Sequence, residues 1–327
     1  MKSPVLSILF LLISVTLLAV PNDFRFRHFS VEDGLSSNSV RAIMQDKYGF
    51  LWIGTEEGLN RYDGIMIKSY SICPQAAGKY ISSLYGTKKN IWIGTDEGIY
   101  IYAYATETFT YFDLTTPNNV RITSIVNHIL QDKDGNLWFS TNGQGLFRYN
   151  LSKNYLEQYE FTSAFGIVAS TMADSDNQIW ALTNQGESGV YKLNKAENKF
   201  EPFGLLYNAG NHHSQALAML EDSEQTLWLG TWECGLQKID KYTRQTTTYL
   251  HPTDGKGVTH IHSLMEYAPH QLLIGSDDGL LLFNTLTEEY KLFTENETVP
   301  NSLSNRFVYP IIKGGRRYLD WDLLWRD

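Results

Sequence analysis

The chain has 327 residues, enough for two average domains or one large all-β domain, and its 43% hydrophobic and 19% charged content excludes a disordered polypeptide. A formal net charge of −9 without a clustered basic patch argues against a nucleic-acid surface. Aromatic residues reach 13%, with 20 Tyr and 8 Trp, which suits β-sheet faces and carbohydrate-facing sites alike.

Residues 1–20 read as a signal peptide. One Lys precedes an apolar run from Val5 to Val20, followed by Pro21 and polar sequence, with cleavage expected near Ala19. An uncleaved N-terminal anchor is the alternative. Either reading places the rest of the protein outside the cytoplasm, in a periplasm. Cys73 and Cys234 occupy unrelated positions of the repeat described next, so no disulfide is expected between them.

Residues 21–313 are written in one repeated unit. "LWIGTEEGLNRYD" starts at Leu51, "IWIGTDEGIYIYA" at Ile91, "LWFSTNGQGLFRYN" at Leu137, "IWALTNQGESGVYKLN" at Ile179, "LWLGTWECGLQKID" at Leu227 and "LLIGSDDGLLLFN" at Leu272, spaced by 40 to 48 residues. An apolar run such as "VRAIMQDKYG" precedes the unit, and an alternating run such as "IMIKSYSI" follows it. Each repeat thus predicts four short strands, a to d. The turns between them carry Asp and Gly, which adopt conformations that β-branched residues resist. One such sheet cannot bury both faces, and forty-odd residues are too few for an independent domain. Stacking twisted sheets around an axis solves this, so the expected fold is an all-β propeller of four-stranded antiparallel blades. The recurrent Trp is expected to pack between neighbouring blades.

The two ends of the chain are expected to share a blade. "DFRFRHFSVEDGLSSNSV" reads as a strand d leading into strand a of the first blade, and "SLSNRFVYPIIK" as a further strand a after the sixth. The expected ring therefore has seven blades, the last one incomplete. After Lys313 the pattern gives way to "GGRRYLDWDLLWRD". With permitted codons, the frame one base later can encode Ile-Trp-Ile-Gly-Thr, the missing unit. Residues 314–327 are accordingly expected to be out of frame, with a true C-terminal extension as the alternative. A ring lacking strands b and c of its last blade is expected to close weakly.

The unit "I.QD..G.LWIGT..GL.RYD", preceded by "F..FS.EDGLSSNSV", resembles the regulator-propeller repeats of hybrid two-component sensors from polysaccharide-digesting gut anaerobes. The resemblance covers about Asp23 to Lys313. It implies a periplasmic sensor of glycan fragments, which in full-length relatives continues into a second propeller, a sandwich, a membrane helix and a histidine kinase. None of these later parts is recognised in this sequence, which reads as a truncated and signalling-incompetent version. What the resemblance carries over is the fold and a surface for an oligosaccharide, a second propeller or a dimer partner.

In a propeller the b–c turns and d–a links share one face around the central channel. The b–c turns carry Glu56 and Glu57, Asp96 and Glu97, Asn142 and Gln144, Asn184 and Gln185, Trp232 and Glu233, and Asp277 and Asp278. Carboxylates and amides suit sugar hydroxyls, and Trp232 suits stacking on a sugar ring. The plain alternative is that all are solvated turn residues. His212 with His213, and His260 with His262, hint at a metal, but neither pair has an evident companion ligand, so loop histidines are expected. No catalytic motif, metal or cofactor is expected. The resulting expectation is a non-catalytic sensor propeller, with an exported lyase or hydrolase as the alternative and a pure scaffold as a third reading.

Overall fold

The computed structural model describes residues 24, 26–73, 79–161, 166–183, 189–205, 215–251, 257–296, 298 and 302–312. They form six four-stranded antiparallel sheets in simple up-and-down order. The first blade consists of strand a (Val40–Gln45), strand b (Leu51–Thr55), strand c (Gly58–Tyr62) and strand d (Ile67–Tyr70). The a strands of the following blades are Ile81–Gly86, Val126–Gln131, Val168–Ala173, Ala216–Glu221 and Ile261–Ala268. Neighbouring a strands contact one another and line the channel. All six b strands fall where the repeat places them, and the first five blades bury the first five residues of the "LWIGT" segment or its equivalent. Both cysteines lack a disulfide. The signal-peptide segment and residues 313–327 lie outside the described residues.

The repeated Trp fills the space between its own blade and the next. Trp52 packs with Ile81, Ile91 and Tyr102 of blade two, and Trp138 with Val168, Ile179 and Tyr191 of blade four. Burial alone would strand the indole N–H, at a cost of about 1–3 kcal/mol. The Asp of the a–b turn removes that cost. Trp52 Nε1 donates to Asp46 Oδ2 at 2.8 Å, Trp138 to Asp132 at 2.8 Å, Trp180 to Asp174 at 2.9 Å and Trp228 to Asp222 at 2.7 Å. The other carboxylate oxygen accepts turn amides, as Asp46 Oδ1 does from Tyr48 N and Phe50 N. The Asp therefore shapes the turn and satisfies the Trp together.

Blade two departs from this rule. Its a–b link is one residue shorter, with Gly86 paired to Ile91 where Gln45 pairs to Leu51, so Thr87 stands where the other Trp-bearing blades have Asp. The Thr87 hydroxyl serves Asn90, and Trp92 Nε1 is buried without an acceptor. Thr87→Asp is expected to raise unfolding free energy by about 1 kcal/mol by supplying one. Urea titration would read this, and an unchanged or lower midpoint would show that the shorter turn cannot aim the carboxylate.

Close packing between blades follows a size rule. Gly54 on strand b faces Ile81 on the next strand a, and an added Cβ there would lie 2.5 Å from the Ile81 Cγ2. Gly94 with Val126 and Gly230 with Ile261 repeat this arrangement. Blade four inverts it. Leu182 takes the register of the Gly, and the facing residue shrinks to Ala216 within the same buried cluster. On the opposite face, turn residues clasp the next blade. Ser175 N and Oγ donate to Glu221, and Ser223 N and Oγ donate to Glu266.

The expectation of seven blades is corrected to six. Among the described residues the seventh sector holds two segments, Phe24 with residues 26–30 and Ser302 to Ile312, and neither forms a strand. Among the described residues no b or c strand stands between them, so no ladder can propagate across the sector. The segments nevertheless occupy it. Phe24 and Phe26 pack on blade six against Phe293 and Tyr267, whereas Arg27 and Phe29 turn to Tyr62 of blade one. Val308 sits over Gly275 as Ile261 sits over Gly230. His28 Nε2 meets Ser302 O at 2.8 Å. The ends thus take the expected d and a positions as packed segments rather than as paired strands.

Candidate functional site

Antiparallel register fixes which groups meet at the channel mouth. Each a strand begins beside the end of its b strand, as Val40 pairs with Thr55 and Ile261 with Ser276. The b–c turns and the starts of the a strands therefore share one face. The channel opens there as a cavity of about 600 Å³. Its polar lining includes Arg41, Asn127, His128, Asn142 and His262, with Tyr309 from the seventh sector.

Several of the expected ligand groups hold their own blade together. Glu56 Oε1 accepts from Arg41 Nε at 3.0 Å and Nη2 at 2.5 Å. Glu97 pairs with Lys79. Gln144 Oε1 accepts from Thr123 N at 2.8 Å and Ser124 N at 3.0 Å, while its Nε2 donates to Arg121 O at 2.9 Å. Asp278 Oδ2 accepts from Thr259 N and Oγ1 at 2.8 and 2.9 Å. These side chains cap the link that enters strand a of the same blade. Glu57, Asp96 and Glu233 are exposed on the turns, and exposed Asn142 borders the channel. Asn184 and Gln185 lie outside the described residues, as do His212 and His213.

The structure brings together a group that the sequence reading kept apart. Asp277 contacts both members of the second His pair. Its Oδ2 meets His260 Nδ1, and its Oδ1 meets His262 Nε2 at 2.7 Å. His262 lies on strand a and faces the channel, so the expectation of companionless loop histidines is corrected. The readable signal is "HIH" at the entry to a strand a, directly beside the b–c turn of the same blade. His260 also has a left-handed backbone, φ 48°, uncommon outside Gly. Its ring stacks on Trp232 of blade five with centroids 3.8 Å apart. Trp232 remains 37% exposed, which leaves ring surface at the rim.

Tyr309 extends this array across the seventh sector. Its ring stacks on His262, centroids 4.2 Å apart, and the Arg41 guanidinium carbon lies 5.4 Å from its centroid. A continuous series of planar groups therefore runs from blade five through blade six to blade one. Deeper in the channel, burial pushes the His128 imidazole down to about 4, and its Nδ1 accepts from Thr171 N at 3.5 Å. His128 is only partly buried and lines the channel. Among the described residues no group of three His, Cys, Asp or Glu side chains is arranged to hold a metal ion.

Six Trp- or Leu-centred four-stranded blades around a channel define a β-propeller. Residues 34–57 and 120–143 match the family described as "Two component regulator propeller". It is similar to Histidine kinase P4 of Formosa agariphila (strain DSM 15362 / KCTC 12365 / LMG 23005 / KMM 3901 / M-2Alg 35-1), 26% identical over 293 residues, which is 84% of this chain and 21% of that protein. The fold is similar to the extracellular domain of a B. thetaiotaomicron protein described as a hybrid two component system, with TM-score 0.74 and 24% identity over 89% of this chain and 39% of that one. It is also similar to virginiamycin B lyase from Staphylococcus aureus, with TM-score 0.65 and 14% identity over 84% of this chain and 88% of the lyase. The chain thus spans about a fifth of the curated relative's length. No described helix is long and apolar enough to cross a membrane.

Proposed function

We propose that this chain is a non-catalytic ligand-binding propeller of a hybrid two-component sensor, acting outside the cytoplasm on glycan fragments. The observation that carries the reading is the exposed Trp232 ring, braced by His260 at the rim of a mouth lined with amide, imidazole and guanidinium donors. An aromatic face beside convergent polar groups is the chemistry that sugar rings require. Similarity to a histidine kinase and to a hybrid-system extracellular domain supports the sensor role. A second propeller or a dimer partner would share the signal in the assembled sensor.

Calorimetric titration with a panel of oligosaccharides tests this reading. At least one is expected to bind uncleaved, with affinity reduced roughly tenfold by Trp232→Ala. A second reading, an exported lyase or hydrolase, draws on the paired His262 and Asp277 and on the likeness to the lyase. Bond cleavage that disappears in Asp277→Asn would replace the sensor reading with that one.

A further inference from the structure

The charge of the channel wall points to a narrower class of ligand. The chain as a whole carries a formal net charge of −9, yet among the described residues no Asp or Glu lines the cavity itself. The lining instead gathers one permanent cation, Arg41, with His128, His262 and the amides of Asn127 and Asn142. The adjacent carboxylates already have partners. Glu56 holds Arg41 and Asp277 holds His262. Tyr309, set between the Arg41 and His262 side chains, keeps these two groups beside one another across blades one and six.

We infer that the channel mouth receives an anionic group of the ligand, a carboxylate or a sulfate ester, on Arg41 and His262. The inference rests on the sensor reading above and names the substrate class of that site as acidic glycan fragments. Guanidinium presents five N–H donors in a planar fork that fits either oxyanion. The walls of a channel weaken solvent screening, so the attraction exceeds that of the same groups on an open surface. Glu56 competes with the ligand for Arg41. This gives the site an internal antagonist and the proposal a signed test.

The test uses the whole chain and three probes at fixed ionic strength: sodium sulfate, sodium glucuronate and neutral glucose. Calorimetric titration is expected to detect saturable binding of sulfate, glucuronate or both, and none of glucose. Arg41→Gln is expected to weaken anion binding at least tenfold. Glu56→Gln leaves Arg41 in place without its competitor and is expected to tighten binding about threefold. Opposite signs separate a ligand contact from a merely structural ion pair, whose loss would act alike in both variants. Binding of sulfate alone identifies a sulfate ester as the source, and of glucuronate alone a uronate. Absence of saturable binding by both anions, or equal weakening in the two variants, overturns the inference. If neutral oligosaccharides still bind in that case, the sensor reading stands and only the ligand class falls.

Discussion

Trp138→Ala is expected to lower unfolding free energy by about 3–5 kcal/mol, the range for a buried large aromatic side chain. The ring is 1% exposed and joins blade three to Val168, Ile179, Tyr191 and Phe200 of blade four. Truncation removes that contact and also takes the indole donor from Asp132. A paired comparison separates the two losses. Trp138→Phe keeps most of the apolar contact but loses the hydrogen bond, whereas Trp92→Phe has no such bond to lose. Trp138→Phe should therefore cost about 1 kcal/mol more than Trp92→Phe. Urea unfolding of the four proteins, including wild type, reads the difference. Equal costs for the two Phe variants would mean that the Asp–Trp bond contributes nothing beyond packing.

The inverted pair between blades four and five should behave as a unit. Ala216 is fully buried and Leu182 is 1% exposed. Ala216→Ile alone forces extra volume against Leu182 and is expected to cost about 1–3 kcal/mol. Leu182→Gly alone opens a cavity and should cost about 3–5 kcal/mol, in the range of large-to-small core changes with a strand Gly added. The double variant recreates the Gly–Ile pair used elsewhere in the ring and should recover at least about 2 kcal/mol of the summed loss, as touching residues couple. Strict additivity in the double-mutant cycle would show that the two side chains do not share one space.

The sequence made the blades legible because their determinants are local. Strand period, turn residues and the spacing of Trp all lie within one repeat, so the six b strands at 51, 91, 137, 179, 227 and 272 fall where expected. The Asp of "QD..G" was legible as a turn former, but its bond to the Trp indole six residues later depends on the folded turn. The mouth was less legible for the same kind of reason. Its turn residues stand out by position alone, and position does not say whether Gln144 faces solvent or bonds back to the 121–124 link. His128 and Arg41 were missed because they sit on a strands, where the channel-facing side follows from how the sheets stack. The seventh sector was misjudged because a d-like and an a-like sequence were read as a blade. Pairing into a sheet needs inner strands between them, and packing onto the neighbouring blades needs only alternating side chains.

The contact between His28 and Ser302 joins residues 274 positions apart. Each of the six blades completes itself within a short span, such as Val40 to Tyr70. Loop-closure entropy grows with the logarithm of chain length, so bringing the ends together opposes folding by about 2 kcal/mol more than forming a single blade. Refolding should therefore proceed in two stages, with the individual meanders appearing first and the union of the termini last. The same union should be the first to open during native-state hydrogen exchange, giving faster exchange at Val308 N than in the central sheets.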